Sequence, residues 1–248
     1  PVVTTPFGVP QEFIEHTKEF ARFQLTNDPA EAEAIVHRFN SRYVVNSPLS
    51  LREVEYYAQL QGVPFERFVR TSNGQSTLQP DYMKTMNVRL YMYDGLSLSQ
   101  DQQTFPAIRF LRLIFESKST MSLNEKQFAK YKIFQVVAGA QLIGMALPGE
   151  VIRFEIKLGT NTTRTFDYYD HAQAGPDGLF RLRFPYSTVF RSNIGVIPLG
   201  KVRVTTSQGE RQMDISEADV LEGHTLNIGD LRFFPEMAPQ QVPAPKEL

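Results

Sequence analysis

The second half of the chain leaves little choice of architecture. Phe180, Leu182 and Phe184 alternate with Arg181 and Arg183, the period-two pattern of a strand with one dry and one wet face. Pro148-Gly149 and Pro176-Asp177-Gly178 supply the fixed φ and the positive φ that tight turns need. Similar β-rich segments recur at 134–144, 151–158, 163–169, 200–206, 212–215 and 225–231. Short strands at this spacing predict an antiparallel β-sandwich-like domain over 133–234. Such a module carries no evident chemistry of its own, which points to a supporting or binding role.

The first half reads differently. Pro10 opens a helix with Phe13, Ile14, Phe20 and Phe23 near one face, and Asn27-Asp28-Pro29 stops it and caps a second helix carrying Ile35, Val36 and Phe39. A short buried strand follows at 42–46. Ser50 and Glu53 stand at capping-box spacing and predict a helix to about Leu60, closed by Gly62. A short helix is expected within 63–70, a polar surface loop at 72–77, and one helix over 81–93; the segment 105–116 fits helix or strand equally. The expected class is therefore α+β: a helix-rich, mixed α/β domain over 1–132, the β-domain over 133–234, and a Pro- and Gln-bearing tail at 235–248 expected to be disordered.

Composition excludes several functions. The net charge is −1 and Lys and Arg do not cluster, so no nucleic-acid partner is expected. Cysteine is absent, which removes disulfides, thiolate nucleophiles and Cys-ligated metals. No apolar run reaches the roughly 20 residues of a membrane span, and no signal-like segment is present. Trp is also absent, and a chain opening on Pro1 reads as a piece of something longer.

Candidate chemistry is sparse. His16, His37, His171 and His224 fall in separate elements and suit ordinary surface or packed histidines better than metal ligands. Asp167 and Asp170 flank a Tyr pair but lack a calcium-loop spacing, and solvated strand-end carboxylates are expected. Nucleotide-binding glycine motifs and the nucleophile elbow are missing. Asp81 and Lys84, three apart, suggest a surface ion pair. Asn161-Thr162-Thr163 is an N-glycosylation acceptor pattern in an expected hairpin loop. Tyr82, Tyr91, Tyr93, Tyr168, Tyr169 and Tyr186 fit the edge of a core better than a sugar-stacking surface. A stand-alone enzyme would need paired carboxylates, for which Glu53/Glu55 and Asp167/Asp170 are poor candidates.

Three strings carry a family resemblance: Arg89-Leu90-Tyr91-Met92-Tyr93-Asp94-Gly95, the 134–144 segment, and the stretch from Ala172 through Gly178 to Thr188. Together with Asn40-Ser41-Arg42-Tyr43-Val44-Val45 they resemble the soluble C-terminal region of the oligosaccharyltransferase catalytic subunit, in its archaeal-type single-subunit form. The resemblance implies a parent whose multi-span membrane domain holds the acidic metal ligands, a divalent Mg or Mn ion and the lipid-linked oligosaccharide. A Trp-Trp-Asp-Tyr-Gly motif at the membrane border recognises the acceptor's Ser/Thr, and Pro1 to Gly8 resemble the segment soon after it. This chain would then contain no catalytic residue, no metal and no cofactor. Its partner would be the acceptor polypeptide, and it would lie on the outer face of the cytoplasmic membrane, tethered by the parent. The family's second pocket element, Asp-x-x-Lys or Met-x-x-Ile, aligns with Asn46 to Glu53, making Asn46, Leu49, Arg52 and Glu53 the implied acceptor-pocket residues. Asn stands here for Asp and Leu for Lys, while Asp81-x-x-Lys84 matches the letters further along the chain. The competing reading is a non-catalytic extracytoplasmic module that binds carbohydrate or protein.

Overall fold

A computed structural model describes residues 10–100, 103–123, 126–189 and 195–233. The N-terminal segment, the 235–248 tail and the side chain of Phe13 lie outside the described residues. Helix α1 (Pro10–Leu25) and helix α2 (Pro29–Arg38) meet at a turn built as the sequence predicts: Pro29 begins α2, and the Asp28 carboxylate caps it by accepting from the Ala30 N–H at 2.9 Å. Arg22 to Glu31 (2.5 Å) and Arg38 to Glu19 (2.7 Å) lace the two helices together. Phe23 is buried on the inner face of α1, whereas Ile14 is 48% exposed, so the expected apolar face is narrower than the pattern suggests.

Strand β1 (Tyr43–Asn46) leads to helix α3 (Leu51–Leu60), whose Ser50/Glu53 capping box is formed in both directions. A 3-10 turn at Phe65–Arg67 takes the place of the short helix within 63–70. The polar stretch expected to be a loop is instead a hairpin of β2 (Val69–Ser72) and β3 (Gln75–Leu78). Asn73 and Gly74 between them both take positive φ, 51° and 74°, which is how two such residues join paired strands. The single helix expected over 81–93 is two, α4 (Pro80–Met83) and α5 (Met86–Tyr93). Thr85 separates them at φ −64°, ψ 154°; its hydroxyl donates to the Tyr82 carbonyl at 2.8 Å and accepts from the Val88 N–H. A local side-chain bond thus competes with helix continuation.

Short strands β4 (Leu98–Gln100) and β5 (Gln103–Phe105) precede β6 (Leu111–Glu116), which settles the ambiguous 105–116 segment as strand. The hairpin of β7 (Thr120–Leu123) and β8 (Lys126–Ala129) leads to β9 (Lys132–Val136). β9 lies between β1 and β6 in an antiparallel three-stranded sheet.

The remaining strands are β10 (Ala140–Met145), β11 (Val151–Gly159), β12 (Thr165–Gln173), β13 (Leu179–Phe184), β14 (Ile197–Pro198), β15 (Val202–Thr206) and β16 (Gly209–Met213). Helix α6 (Glu217–Glu222) and strand β17 (Thr225–Asp230) complete the described chain. One sheet runs β13-β10-β17; the other runs β12-β11-β15-β16 with β14 attached to β11. β17 pairs parallel with β10, so the first sheet is mixed rather than purely antiparallel. Phe180, Leu182 and Phe184 point inward and Arg181 is exposed, as the alternation requires. Phe154 of β11 meets Phe180 and Phe184 at ring distances of 6.1 and 6.5 Å, and Tyr168 of β12 meets Phe184 edge-on at 5.3 Å. Each such buried aromatic is worth about 1.5–3 kcal/mol of burial. One core runs from Phe23, Ile35 and Val36 through Phe134 to Phe154, Val204 and Ile228, so the two halves share it. The class is α+β.

Candidate functional site

The four implied pocket residues do not form one surface. Asn46, ending β1, is fully buried: its amide donates to the Asn87 carbonyl at 3.0 Å and its Oδ1 accepts from Asn87 Nδ2 at 3.1 Å. Asn87 also donates to Gln24 Oε1 and to the Ser47 carbonyl, both at 2.8 Å. This buried amide cluster ties β1 and the 47–50 loop to α1 and α5. Leu49 is half-buried against a second core formed by Leu25, Val54, Ala58, Phe68, Tyr82 and Val88. Arg52 is exposed in the first turn of α3. Glu53 is exposed but occupied, accepting from the Ser50 N–H at 2.7 Å. Leu49 and Arg52 are thus the pair that flank an accessible surface at the N-terminus of α3.

Beyond the other end of α3 a cleft of about 260 Å³ lies between the α1–α2 turn and the 3-10 turn, lined by Arg22, Thr26, Glu31, Gln61, Arg67 and Phe68 among others. Its charged groups are already engaged: Arg22 and Thr26 bond to Glu31, and Arg67 pairs with Asp81 at 2.9 Å. Asp81 is therefore taken by Arg67 rather than by the expected Lys84, whose ammonium lies 5.6 Å from the Phe105 ring centroid. α4 is only four residues long with Lys84 as its C-cap, too short a helix to set up the i,i+3 pair.

Sequence reasoning missed a buried charge cluster. Lys132 Nζ contacts Asp94 Oδ1 at 2.6 Å, donates to the Tyr91 carbonyl at 2.7 Å and lies 3.8 Å from Glu116 Oε1. Arg164 bridges the same acids, to Asp94 Oδ2 at 2.8 Å and Glu116 Oε1 at 2.6 Å. Burial pushes the Glu116 carboxyl up, but hydrogen bonds from Arg164 and Thr162 and the Arg164 charge outweigh it and hold the group below its ordinary value. Two acids and two bases cancel, so the cluster locks the α5 C-terminus, β6, β9 and the β11–β12 turn. Only Arg89-to-Gly95 in the sequence hinted at it, through an Asp before a Gly.

Asn161 sits in that turn. Its Oδ1 accepts from the Glu116 N–H at 2.9 Å and its Nδ2 donates to the Glu116 carbonyl at 2.7 Å, the bonding a neighbouring strand would make. Asp167 is exposed while Asp170, on the opposite face of β12, is 2% exposed and held by Arg109 Nε at 2.6 Å. The expected solvated pair is therefore split by the strand's alternation. Tyr82, Tyr91, Tyr168 and Tyr186 are buried, Tyr93 is half-buried, and Tyr169 alone of the six is exposed, at 49%. Arg89 is fully buried, stacked 6.0 Å from the Phe105 ring, and burial pulls its guanidinium down to about 10.

Among the described residues no three His, Asp or Glu side chains converge on a metal position. Asp94 and Glu116, buried side by side, are already neutralised by Lys132 and Arg164, so this donor set does not fit a divalent ion. Among them, too, no helix is long and apolar enough to cross a membrane.

The buried charge cluster makes this part of the chain a charge-locked scaffold, and comparison with known proteins shows what it is similar to. Residues 139–226 match the family described as the archaeal glycosylation protein B long peripheral domain. A search of curated proteins returns no match. The fold is shared with solved structures of the Archaeoglobus fulgidus oligosaccharyltransferase. The complex with Zn and sulfate aligns at TM-score 0.63 and 16% identity over 84% of this chain and 36% of that one. The form tethered to an acceptor peptide containing the NVT sequon aligns at TM-score 0.63 and 17% identity, over 84% and 33%. The complex with an inhibitory peptide and a dolichol-phosphate covers 86% of this chain at TM-score 0.63 and 17% identity. The chain thus spans about a third of the length of the proteins it matches. The resemblance to the peripheral region of an archaeal-type oligosaccharyltransferase, read from Arg89 to Gly95 and from 172 to 188, holds.

Proposed function

We propose that this chain is the peripheral part of a larger membrane oligosaccharyltransferase and that it holds the Asn-x-Ser/Thr acceptor polypeptide in place for sugar transfer. The observation that carries the reading is the shared fold over 84% of the chain with an oligosaccharyltransferase solved with a tethered acceptor peptide. Catalytic carboxylates, the divalent Mg or Mn ion, the Trp-Trp-Asp-Tyr-Gly motif and the lipid-linked oligosaccharide belong to the rest of the parent, and this part lies on the outer face of the cytoplasmic membrane. Here the acceptor's hydroxyl-bearing residue meets the surface at Leu49 and Arg52, at the N-terminus of α3. Glu53 serves by fixing that helix end through the capping box, and Asn46 by anchoring β1 and the loop from beneath. Holding the peptide restricts its orientation, which lowers the barrier without a titrating group on this side.

Leu49→Asp and Arg52→Ala in the full-length protein, expressed in membranes and assayed with a fluorescent peptide bearing Asn-Val-Thr, test this. Loss of transfer, with folding intact, is expected. Undiminished transfer by both variants overturns the role of this surface. A second reading, a carbohydrate- or protein-binding module, rests on Tyr169 exposed beside Arg153 and His171 on the outer face of β11 and β12. Glycan binding lost on Tyr169→Ala, with transfer unaffected, would favour it.

A further inference from the structure

The sheet β1-β9-β6 has two edges with opposite fates. On the β6 side, Val196 N–H donates to the Ile114 carbonyl at 3.0 Å, and Gly195 comes so close that a Cβ there would lie 2.3 Å from the same oxygen. That edge is sealed. On the β1 side, the Arg42 carbonyl accepts from Val136 N–H at 2.9 Å, and the register pairs Tyr43 with Gln135 and Val45 with Ile133. Hydrogen-bonded and non-hydrogen-bonded pairs alternate along an antiparallel ladder. Arg42, Val44 and Asn46 therefore face β9, while Tyr43 and Val45 turn their N–H and C=O groups away from it. Among the described residues no partner meets those groups, and the two residues are 55% and 57% exposed. The strand carries neither Pro nor Lys to blunt it, and the one irregularity of this sheet lies between β6 and β9.

We propose that the open edge of β1 is a docking edge for an extended stretch of the acceptor polypeptide, which adds as a strand through the main chain of Tyr43 and Val45. The inference rests on the acceptor-holding role above and names how the peptide approaches. A row of outward N–H and C=O groups at every second residue is complementary to one class of ligand, a polypeptide in β conformation, and reads its backbone rather than its sequence. That suits acceptors differing everywhere except at Asn-x-Ser/Thr. β1 also runs directly into the 47–53 segment, only Asn46, Ser47 and Pro48 separating Val45 from Leu49, so a strand on this edge is delivered to the end of α3. With two outward residues the edge aligns the peptide and leaves selection to the surface beyond.

The lack of native cysteine permits a clean test. Arg42→Cys is joined by a disulfide to a peptide bearing Asn-Val-Thr, and amide exchange is followed by NMR. The Tyr43 and Val45 amides are expected to slow by about tenfold or more, as for amides recruited into a ladder, whereas the same peptide N-methylated at alternate residues leaves them unchanged. Val45→Pro, which deletes an outward N–H, is expected to abolish the Tyr43 protection, with the β9 amides reporting an intact ladder. Unchanged Tyr43 and Val45 exchange with shifted Leu49 and Arg52 signals overturns the edge and spares the acceptor role. No change anywhere overturns both. Protection that appears without peptide and grows with protein concentration assigns the edge to a second copy of the chain and overturns the proposal.

Discussion

Lys132 Nζ lies 2.6 Å from Asp94 Oδ1 with both side chains at most 5% exposed, and the contact joins the third strand of the helical half's sheet to the end of α5. Lys132→Met leaves Asp94 and Glu116 buried with only the half-exposed Arg164 to balance them. Removing one partner of a buried pair costs about 3–5 kcal/mol, and urea unfolding is expected to show a loss in that range. A loss below about 1 kcal/mol, the scale of a surface ion pair, would mean that the cluster is wetter than the structure shows.

Acid should undo the same cluster. Glu116 is held below its ordinary value of 4.5 when folded. A carboxyl depressed by folding contributes stability that is fully present above its unfolded pKa and is lost as pH falls through the folded one. The folding free energy should therefore be flat in this contribution above about pH 5 and decline below 4.5. Glu116→Gln should lower stability at neutral pH and weaken the acid dependence, measured by chemical denaturation across pH 3 to 7. An unchanged acid slope in the variant would place the titrating groups elsewhere.

What could be read from the sequence follows from the range of the interactions. Asp28-Pro29, the Ser50/Glu53 box and the Phe180–Phe184 alternation depend on residues within four positions of each other, and each forms as read. Thr85 shows the limit, because a single hydroxyl bonding back to Tyr82 ended a helix that apolar spacing alone would continue. The buried groups were illegible for another reason: Asn46 meets Asn87 across 41 positions, Arg164 meets Asp94 across 70, and Arg109 meets Asp170 across 61. Nothing local to any of them distinguishes a buried partner from a solvated one.

Asn161 offers a direct check on a sequence pattern. Its Nδ2, the atom that glycosylation would modify, is donating to Glu116, and its Oδ1 accepts from the same residue. Intact-mass analysis of folded protein from a glycosylating host is expected to show no glycan at this position. Asn161→Ala, which orphans the Glu116 backbone groups, should cost about 1–3 kcal/mol. A modified Asn161 in protein of undiminished stability would contradict this geometry.

Asn46 separates a structural from a recognition role. It is fully buried and bonded to Asn87, which in turn holds Gln24 and Ser47. Asn46→Ala should lower stability by about 1–3 kcal/mol, the cost of unpaired buried polar groups, and, under the acceptor-holding role proposed above, should weaken peptide binding only to the extent that the 47–50 loop loosens. Affinity lost at full stability would instead put Asn46 in contact with the acceptor.

Gly178 tests the turn that first betrayed the fold. It takes φ +78°, and a Cβ there would stand 2.7 Å from the Ala146 carbonyl oxygen, one residue beyond the β10–β13 pairing. The Gly178 carbonyl accepts from Ala146 N–H at 2.9 Å, so the turn cannot withdraw from that oxygen without breaking its own bond. Gly149 shares the positive φ but has nothing within 4 Å of its Cβ position. Left-handed backbone alone costs a non-glycine residue about 1–2 kcal/mol, which sets the expected loss for Gly149→Ala. Gly178→Ala should lose distinctly more, because strain and collision add at one site. Equal losses in thermal unfolding would show that the β10–β13 end yields to an added methyl group, and that backbone conformation alone fixes the glycine there.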